Sequence, residues 1–368
     1  MSGRPLRITS IVGARPEFVQ AACVCQAFAR RGHREALIHT GQHYDDTMSA
    51  TFFDELSLPA PARHLGAGGG SHASQTAAML VALERVLLDD PPDAVLVRGD
   101  TNSTLAGALA AAKLAIPVVH IEAGERCGDL TMPEEINRVM VDHVASLHLC
   151  ASRAAVARLQ AEGIDGAVFV GDVMHDVLLC TRERAAAAFD PWRGRGLEPG
   201  AYALATIHRA SNTDDPRRLS RLVDALSDGP TPVVFPCHPR TARALETAGL
   251  AFGPRVTVLP PLGYHDMLAL EMHAAVILTD SGGVQREAYC LGVPCVTLRD
   301  ATEWTETVDA GWNVLAGDDR VRILEAWQRP APAGDRPGIF GDGHAADHAV
   351  RAIEAWMAGR GHRHGGRA

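Results

Sequence analysis

Carboxylates follow two strand-like segments in the first half of the chain, where they could carry out acid–base chemistry. Asp100 comes just after the run Ala94–Val97, and Glu122 comes directly after Val118–Ile121. Ligands bind at the carboxyl edge of a parallel sheet, and both side chains should open onto that edge. Several carboxylates around one site shift each other's pKa values and can divide acid and base roles. We therefore predict an acid–base site, with Glu134 as its third member.

A structural role would explain each of these carboxylates taken singly. Asp100 could cap a helix predicted over Asn102–Leu114, and Glu134 could stabilise the first turn of another helix through the helix dipole. For three carboxylates at one edge this explanation is weaker, and both interpretations stay open.

A strand-to-helix turn near the amino terminus could hold a phosphate. Gly13 ends the run Ile8–Val12, and Pro16 suits the first position of a helix. Exposed N–H groups together with Arg15 would favour an anion at this turn. An ordinary turn with a solvent-facing arginine explains the pattern equally well. No G-x-G-x-x-G motif is present, so a nicotinamide cofactor is not indicated.

A second strand-to-helix turn, in the second half of the chain, is more specific for a diphosphate. Gly282 and Gly283 follow the strand-like run Val276–Thr279 and leave room for a phosphate. Ser281 could cap the following helix. Glu287, one turn into that helix, could accept hydrogen bonds from ribose hydroxyls. Because a glycine pair at a strand end has few packing reasons, we favour a functional role for this turn.

An adjacent histidine and arginine follow another strand-like run. His208 and Arg209 come after Tyr202–Thr206, again at a predicted carboxyl edge. A lone histidine is usually structural. A histidine beside an arginine at a strand end would suit a leaving phosphate.

Short β-branched runs alternate with longer helical patterns, which predicts βαβ units and parallel sheets. The segment Pro59–Gly70 is predicted to be a surface loop, as is Pro330–Gly338. The predicted strands are Ile8–Val12, Ala36–His39, Ala94–Val97, Val118–Ile121, Leu147–Cys150, Val168–Val170, Tyr202–Thr206, Pro232–Pro236, Val256–Leu259, Ala275–Thr279 and Cys295–Leu298.

The two series of strands predict the fold class α/β, with two doubly wound, Rossmann-like domains that face a cleft. We expect the first domain, which carries the carboxylates, to cover residues 1–171 and the second to cover 172–344. A last helix at 345–358 is expected to pack back on the first domain. The basic, glycine-rich tail 359–368 is expected to be disordered.

Composition narrows the class of partner. The net charge of -9 and the pI near 6.0 argue against general nucleic-acid or membrane-surface binding. We expect no signal peptide and no membrane-spanning segment. The C-x-C pair lacks a second pair, so neither a metal nor a redox cofactor is expected. The cysteines are expected to be reduced and buried in a cytoplasmic protein, especially those in apolar segments, Cys150, Cys180, Cys290 and Cys295.

Seven stretches of the chain, in order, resemble the UDP-N-acetylglucosamine 2-epimerase family. Single stretches are weak indications, whereas the ordered set is highly specific. The resemblance implies a two-domain GT-B-like architecture, with the nucleotide bound mainly by the second domain. The stretches lie between Ile8 and Gly317 and are GARPEF, TGQHYDD, RGDTNSTLAGALAA, VVHIEAGERCGDLTMPEEINR, TIHRASNTD, ILTDSGGVQREAYCLGVPCVTLR and TEWTETVDAGWNVLAG.

The resemblance also implies a reaction. The family removes the proton at C2 of the sugar and expels UDP from C1, which leaves 2-acetamidoglucal. UDP then adds back and C2 is reprotonated on the other face, so that UDP-GlcNAc and UDP-ManNAc interconvert. An acid–base pair and a stabilised leaving diphosphate are needed. By matching motif, Asp100, Glu122 and Glu134 would be the acid–base set, and His208 with Arg15 would stabilise the diphosphate.

The remaining site residues are carried over in the same way. Arg138 is expected to line the site and Arg209 to contact the substrate. Phosphate and ribose would be held by Ser281, Gly282, Gly283 and Glu287. The resemblance implies a UDP-sugar substrate, no metal or other cofactor, and a homodimer.

Departures from the family pattern leave the substrate open. Many bacterial members have a lysine where this chain has Gln20, and TEWTE (Thr302–Glu306) replaces their commoner TTERPE. These differences resemble a subgroup that includes enzymes acting on UDP-2,3-diacetamido-2,3-dideoxyglucuronic acid and archaeal UDP-GlcNAc epimerases. A uronate would need a cationic contact, which Arg126 or Arg138 could supply. A hydrolysing variant that releases UDP and ManNAc, a glycosyltransferase of the same fold and a non-catalytic UDP-sugar binder are further alternatives.

Overall fold

The chain divides into two compact units. Unit 1 runs to Val177 and resumes at Gly338, and unit 2 runs from Leu178 to Pro337. None of the described helices is long and apolar enough to cross a membrane. The structure, a computed structural model, describes residues 4–42, 53, 56–188, 198–333 and 336–364. Residues 43–46 of the TGQHYDD stretch and 365–368 of the predicted tail lie outside these ranges.

The sheet of unit 1 is parallel, with strand order β3-β2-β1-β4-β5-β6-β7. The order reverses between β1 and β4, which makes this the switch point at which doubly wound sheets bind ligands. In chain order the elements are β1 (Arg7–Val12), α1 (Arg15–Arg30), β2 (Arg34–His39), β3 (Arg63–His64), α2 (His72–Asp89), β4 (Ala94–Arg98), α3 (Asn102–Lys113), β5 (Val118–Ile121), α4 (Pro133–Val144), β6 (Leu147–Cys150), α5 (Arg153–Ala161) and β7 (Val168–Phe169).

The central strands of unit 1 are buried along their whole length, which explains their nearly continuous apolar runs. Ile11, Val95 and Val97 share a core cluster with side chains of α2 and α3. Helix α3 is rich in alanine, so it approaches the sheet closely. A Cβ added at Gly107 would meet side-chain carbons of Ile11 and Val97 at 3.0 Å. This close packing fixes the amino end of α3 beside the carboxyl end of β4.

Unit 2 repeats the design, with strand order β10-β9-β8-β11-β12-β13 and its switch point between β8 and β11. Its pairs are parallel as well. Helix α6 (Val173–Ala188) contains the division between the units. The other elements are β8 (Ala203–Thr206), α7 (Ala210–Thr213), α8 (Pro216–Ser227), β9 (Val233–Pro236), α9 (Pro239–Ala248), β10 (Val256–Leu259), α10 (Tyr264–Met272), β11 (Val276–Thr279), α11 (Gly282–Leu291), β12 (Cys295–Thr297), α12 (Thr305–Asp309), β13 (Asn313–Leu315) and α13 (Arg320–Trp327).

The last helix, α14 (Ala345–His364), belongs to unit 1 and packs against α1. Asp176 accepts hydrogen bonds from the first N–H groups of α14, at 2.9 and 2.8 Å. Glu354 forms an ion pair with Arg31 at 2.6 Å. The helix runs on to His364, beyond the end that the sequence predicted at residue 358.

The fold class is confirmed as two doubly wound α/β units with parallel sheets. The predicted surface loop over residues 59–70 contains the two-residue strand β3, and neither β3 nor β13 was predicted. Both are short strands at a sheet edge. The division at Val177 differs from the expected 171 because the chain stays in unit 1 for the first residues of α6. Cys180 is exposed and Cys290 half-buried, against the expectation that both are buried.

Candidate functional site

Asp100 and Glu122 lie on neighbouring strands at the carboxyl edge of unit 1. Strands β4 and β5 pair with Arg98 opposite Ile121, so each carboxylate follows its strand at nearly the same level. Gly99 N–H donates to the carbonyl of Ile121 at 3.1 Å, which ties the two strand ends together. The predicted meeting of these two residues at one edge therefore holds.

Asp100 does not cap the helix that follows it. Thr101 is the N-cap of α3, and its side chain accepts from the N–H groups of Ser103 and Thr104. Asp100 instead forms an ion pair with Arg138 of α4. Asn137 of the same helix donates to the Asp100 carbonyl at 2.9 Å. The Asp100 carboxylate is thus held in place by Arg138 and is not engaged in capping α3.

Glu122 sits in a strained backbone conformation. Its φ of 69° lies in the left-handed region, which costs a non-glycine residue about 1–3 kcal/mol and occurs mainly at functional sites. Its N–H and that of Ala123 donate to the Leu149 carbonyl of β6, at 3.0 and 3.2 Å. Gln20 of α1 donates to the Glu122 carboxylate. The surrounding structure therefore imposes one orientation on this side chain.

A buried ionic network holds the two carboxylate-bearing turns. His120 Nδ1 lies 2.7 Å from Asp142, and its Nε2 lies 2.8 Å from the Gly99 carbonyl. The other Asp142 oxygen accepts from Gly124 N–H at 3.0 Å and from Arg126 at 2.7 Å. Burial acts to raise the pKa of Asp142, but His120 and Arg126 lower it to about 2. The network connects the turn before Asp100 to the turn after Glu122.

Glu134 is half-buried in the first turn of α4, the helix that also carries Arg138. Its neighbour Glu135 is buried and accepts from Arg138 at 2.8 Å and from Gly128 N–H at 2.8 Å. Burial acts to raise the pKa of Glu135, but hydrogen bonds from the Cys127 N–H and Arg138 hold it below its usual range. Glu135 is therefore structural, which leaves Glu134 as the candidate of this pair.

The turn after β1 is fixed by a glutamate that the sequence analysis passed over. Glu17 accepts from the N–H groups of Gly13 at 2.6 Å and Ala14 at 2.9 Å. Its other oxygen accepts from the hydroxyls of Thr101 at 2.7 Å and Thr104 at 3.0 Å. One carboxyl group thus connects the turn before Arg15 to the turn after Asp100.

Packing requires a glycine at position 13. A Cβ at this position would lie 2.0 Å from Thr40 Oγ1 and 2.2 Å from Ser103 Oγ. Arg15, at the first position of α1, is half-buried at the same switch point. Within the predicted phosphate-binding turn, Arg15 remains the candidate for contacting a phosphate.

Glu17 makes the stability of the protein depend on pH. Burial raises its pKa from 4.5 to about 7, against opposing hydrogen bonds from Thr101, Ala14 and Gly13. The folded state binds this proton more tightly than the unfolded chain. The resulting stabilisation is complete below about pH 4.5 and is lost as the pH rises through about 7.

We predict that the free energy of unfolding of the wild type falls relative to that of Glu17→Gln as the pH rises from 4.5 to 7, by about 1.4 kcal/mol per pH unit at the steepest point. Urea unfolding of both proteins across this range is the measurement. Glu84→Gln, on the exposed face of α2, controls for the loss of one carboxylate. A constant difference between wild type and Glu17→Gln would contradict the prediction.

In unit 2, Asp280 organises the switch point between β8 and β11. It is fully buried and accepts from the N–H groups of His208 at 3.0 Å and Arg209 at 3.0 Å. Asn212 donates to the same carboxylate at 3.0 Å. His208 Nδ1 lies 3.3 Å from Asp280, and the His208 side chain is 38% exposed. Asp280 therefore orients a histidine whose ring stays accessible.

The glycine turn after β11 is lined by the predicted Arg209 and by two charged residues, Arg299 and Glu303, that the sequence analysis did not single out. Ser281 caps α11, as predicted, by accepting from Val284 N–H at 3.5 Å. Glu303 is buried and forms an ion pair with Arg299 at 2.8 Å. Arg209 lies 3.7 Å from the same carboxylate. The amino terminus of α11 and these two guanidinium groups thus lie around the same buried carboxylate.

Gly282 and Gly283 differ in the space around them. A Cβ at Gly282 would lie 2.3 Å from Glu303 Oε1 and 3.1 Å from Trp304 Nε1, whereas one at Gly283 would meet only Ser281 Oγ, at 3.8 Å. We expect Gly282→Ala to lower the free energy of unfolding by about 1–3 kcal/mol, because it pushes Glu303 away from Arg299. Gly283→Ala should leave stability unchanged or raise it by up to about 1 kcal/mol. Equal effects of the two variants in thermal unfolding would contradict this expectation.

Glu287 lies on α11, buried, next to the hydroxyl of Tyr264. Burial, followed by the neighbouring Glu287 and Glu271 carboxylates, raises the pKa of Tyr264 well above its usual value. Arg286, on the same helix, stacks over the ring of Trp304 at 4.2 Å. These contacts hold one face of α11, and with it Glu287, in a fixed orientation.

Sequence reasoning missed Glu17, His120, Asp142, Asp280 and Glu303. Four of them lie inside the stretches that carried the family resemblance, within a few residues of a predicted strand end. The presence of a charged residue close to a predicted strand end could have drawn attention to them. The roles of these residues depend on partners far away in the chain, so the sequence pattern alone gave no reason to choose them.

Two α/β units with polar side chains gathered at each switch point define a two-domain protein of the GT-B-like class. The family model described as UDP-N-acetylglucosamine 2-epimerase matches residues 26–354. A UDP-N-acetylglucosamine 2-epimerase homolog of Methanococcus maripaludis is 45% identical, over 95% of this chain and 99% of its own length. The UDP-2,3-diacetamido-2,3-dideoxy-D-glucuronate 2-epimerase of Pseudomonas aeruginosa is 46% identical, over 87% of this chain and 91% of its own length.

A solved structure of a family member has a similar fold. The crystal structure of Methanocaldococcus jannaschii UDP-GlcNAc 2-epimerase, in complex with UDP-GlcNAc and UDP, matches with a TM-score of 0.88 and 37% identity, covering 95% of this chain and 100% of the other. The chain belongs to the UDP-N-acetylglucosamine 2-epimerase family. It is an enzyme of the isomerase class, and the resemblance drawn from the sequence is confirmed.

Proposed function

We propose that this protein interconverts UDP-GlcNAc and UDP-ManNAc without hydrolysis. The observation that carries the proposal is the placement of Asp100 and Glu122 on adjacent strands at the carboxyl edge of unit 1. The two epimers carry the C2 hydrogen on opposite faces, so the reaction needs more than one proton-transferring group. Two fixed carboxylates on neighbouring strands, with Glu134 on α4, meet this need.

The proposed reaction is an anti elimination followed by re-addition. One carboxylate takes the C2 proton, the C2–H electron pair forms the C1=C2 bond, and the C1–O bond breaks with its electrons going to the diphosphate of UDP. In the second step a UDP oxygen attacks C1 of the 2-acetamidoglucal, and the C1=C2 electron pair takes a proton from a carboxylic acid on the opposite face of C2. No electrons enter or leave overall, so the site residues need only transfer protons and stabilise charge.

The diphosphate is assigned to cationic groups and a helix terminus. In unit 1, Arg15 is the candidate. In unit 2, His208, Arg209 and the turn of Gly282 and Gly283 are the candidates, with Glu287 accepting from ribose hydroxyls. Because Asp280 fixes the backbone of His208 and Arg209, both side chains leave the same turn.

A second candidate substrate is UDP-2,3-diacetamido-2,3-dideoxyglucuronic acid, favoured by the 46% identity to the Pseudomonas aeruginosa enzyme named for it. The cations that the sequence suggested for the uronate carboxylate already have partners. Arg126 pairs with Asp142 at 2.7 Å and Glu162 at 2.8 Å, and Arg138 pairs with Asp100 and Glu135. This supports the uncharged sugar as the first candidate.

A proton NMR time course with UDP-GlcNAc in deuterated buffer tests the proposal. Growth of UDP-ManNAc with loss of the C2 proton signal is the expected result. Free ManNAc with UDP would indicate the hydrolysing variant, and the diacetamido-uronate turned over in place of UDP-GlcNAc would indicate the second substrate. Sugar transfer to an acceptor with the C2 proton retained would indicate a glycosyltransferase. The homodimer and the cytoplasmic location stay predictions from the sequence.

A further inference from the structure

Gln20 is a buried amide at the carboxyl edge of unit 1 that the proposed reaction leaves without a role. It lies on α1, is 2% exposed, and donates a hydrogen bond from Nε2 to the Glu122 carboxylate. An ionised carboxylate only accepts hydrogen bonds, so the nitrogen end of the amide must face Glu122. The orientation of the amide is therefore set by chemistry.

The oxygen end of the same amide is unsatisfied. Gln20 Oε1 is buried and accepts no hydrogen bond from any group in the part of the chain that the structure describes. Buried polar atoms are nearly always paired, so an orphaned acceptor beside a candidate catalytic group calls for a donor. Glu122 itself has the left-handed backbone that marks functional positions. The unpaired Oε1 of Gln20 and the strained backbone of Glu122 therefore occur side by side in the candidate site.

We propose that Gln20 is a positioning residue that holds Glu122 through Nε2 and accepts, through Oε1, the N–H of the 2-acetamido group of the substrate. This inference rests on the proposed function. The acetamido nitrogen is bonded to C2, the carbon that loses its proton. A single planar amide then sets the position of Glu122 relative to C2.

Gln20 is uncharged, whereas the lysine that many bacterial family members have at this position is positively charged. A lysine would bring a positive charge to Glu122, but an ammonium group has no acceptor for an N–H. Gln20 favours the ionised carboxylate by a hydrogen bond alone and keeps an acceptor for the sugar. Replacement by lysine should therefore separate the two roles.

The test compares Gln20→Leu and Gln20→Lys with the wild type, on whichever UDP-sugar the wild type turns over. Leucine fills a similar volume but has neither polar end. We expect kcat to fall about 10- to 100-fold and KM to rise up to about 10-fold, with the acid limb of the kcat–pH profile at higher pH. In the lysine variant the acid limb should move to lower pH, while KM stays as high as in the leucine variant. Gln26→Leu, on the exposed side of α1, is the matched control.

A leucine variant with wild-type thermal unfolding, kcat, KM and pH profile would overturn the proposal. So would a lysine variant with the KM of the wild type, because lysine cannot supply the acceptor. Failure of the wild type on every UDP-sugar counts instead against the proposed function. The contact with the sugar is then decided by calorimetric titration, in which UDP-GlcNAc should bind more weakly to Gln20→Leu than to the wild type and equal affinities would refute it.

Discussion

Replacing Asp100 by asparagine should lower the turnover of UDP-GlcNAc by about 10²- to 10⁴-fold, the usual contribution of a positioned acid or base. Asparagine has the same shape and can still accept a hydrogen bond from Arg138, but it cannot take up a proton. The side chain is 22% exposed, so the substitution should leave the fold intact. KM should change much less than kcat, because the lost interaction is made in the transition state.

The measurement is deuterium incorporation at C2, followed from each epimer separately by proton NMR. Incorporation should fall with kcat from both sides, since the reaction is reversible. Asp90→Asn is the matched control, because Asp90 precedes the amino end of β4 while Asp100 follows its carboxyl end. Its side chain is 70% exposed, and the variant should keep wild-type turnover. Undiminished C2 exchange in Asp100→Asn would remove Asp100 from the acid–base set.

The position of Asp100 shows how far sequence reasoning reaches in this protein. Strand ends could be predicted because the central strands are buried on both faces and therefore appear as continuous apolar runs. Parallel pairing then places the residues after those runs at one edge. Asp100, Glu122, His208 and Ser281 were all found in this way.

Edge strands and partners could not be found by the same route. Strand β3 has two residues, both exposed, and lies in a stretch rich in proline and glycine. It is held by its backbone pairing with β2, which leaves no periodic pattern. The partner of Gln20 was equally hidden, because Glu122 lies 102 positions further along the chain.

Packing also gives a structural reason for two glycines at strand ends. Gly13 has the features of a phosphate-binding turn, yet its missing side chain is required by Thr40 and Ser103. Gly282 is constrained in a similar way by Glu303. A glycine at a strand end can thus record the approach of a neighbouring side chain, and only the three-dimensional neighbours show which residue that is.

Removing the Asp142 carboxylate should destabilise unit 1 far more than the loss of an exposed ion pair. Asp142 is 1% exposed and lies against His120, which is fully buried. The two ring nitrogens of His120 face Asp142, at 2.7 Å, and the Gly99 carbonyl, at 2.8 Å. Asp142→Ala would remove the partner of His120 and the acceptor of Gly124 N–H and Arg126 from a buried site, at a cost of about 3–5 kcal/mol in the free energy of unfolding.

Glu162→Ala is the matched control for the loss of one ion pair. Glu162 also pairs with Arg126, at 2.8 Å, but its side chain is 31% exposed. Exposed ion pairs contribute about 0–1 kcal/mol, so this variant should lose little. Urea unfolding of both variants at pH 7 is the measurement. Equal losses of unfolding free energy in the two variants would mean that burial does not increase the contribution of the His120–Asp142 pair to stability.

The pH dependence of the free energy of unfolding gives an independent check on the role of Asp142. The folded-state pKa of Asp142 is lowered from 3.8 to about 2, so its stabilisation is present above about pH 4 and is lost as the pH falls towards 2. In Asp142→Ala this part of the acid destabilisation should disappear. Turnover should also fall at least about tenfold, because His120 would no longer hold the Gly99 carbonyl and Gly124 would lose its acceptor, which loosens the turns on either side of the two carboxylates. A variant that lost stability but kept full turnover would show that the network supports the fold and not the geometry of the site.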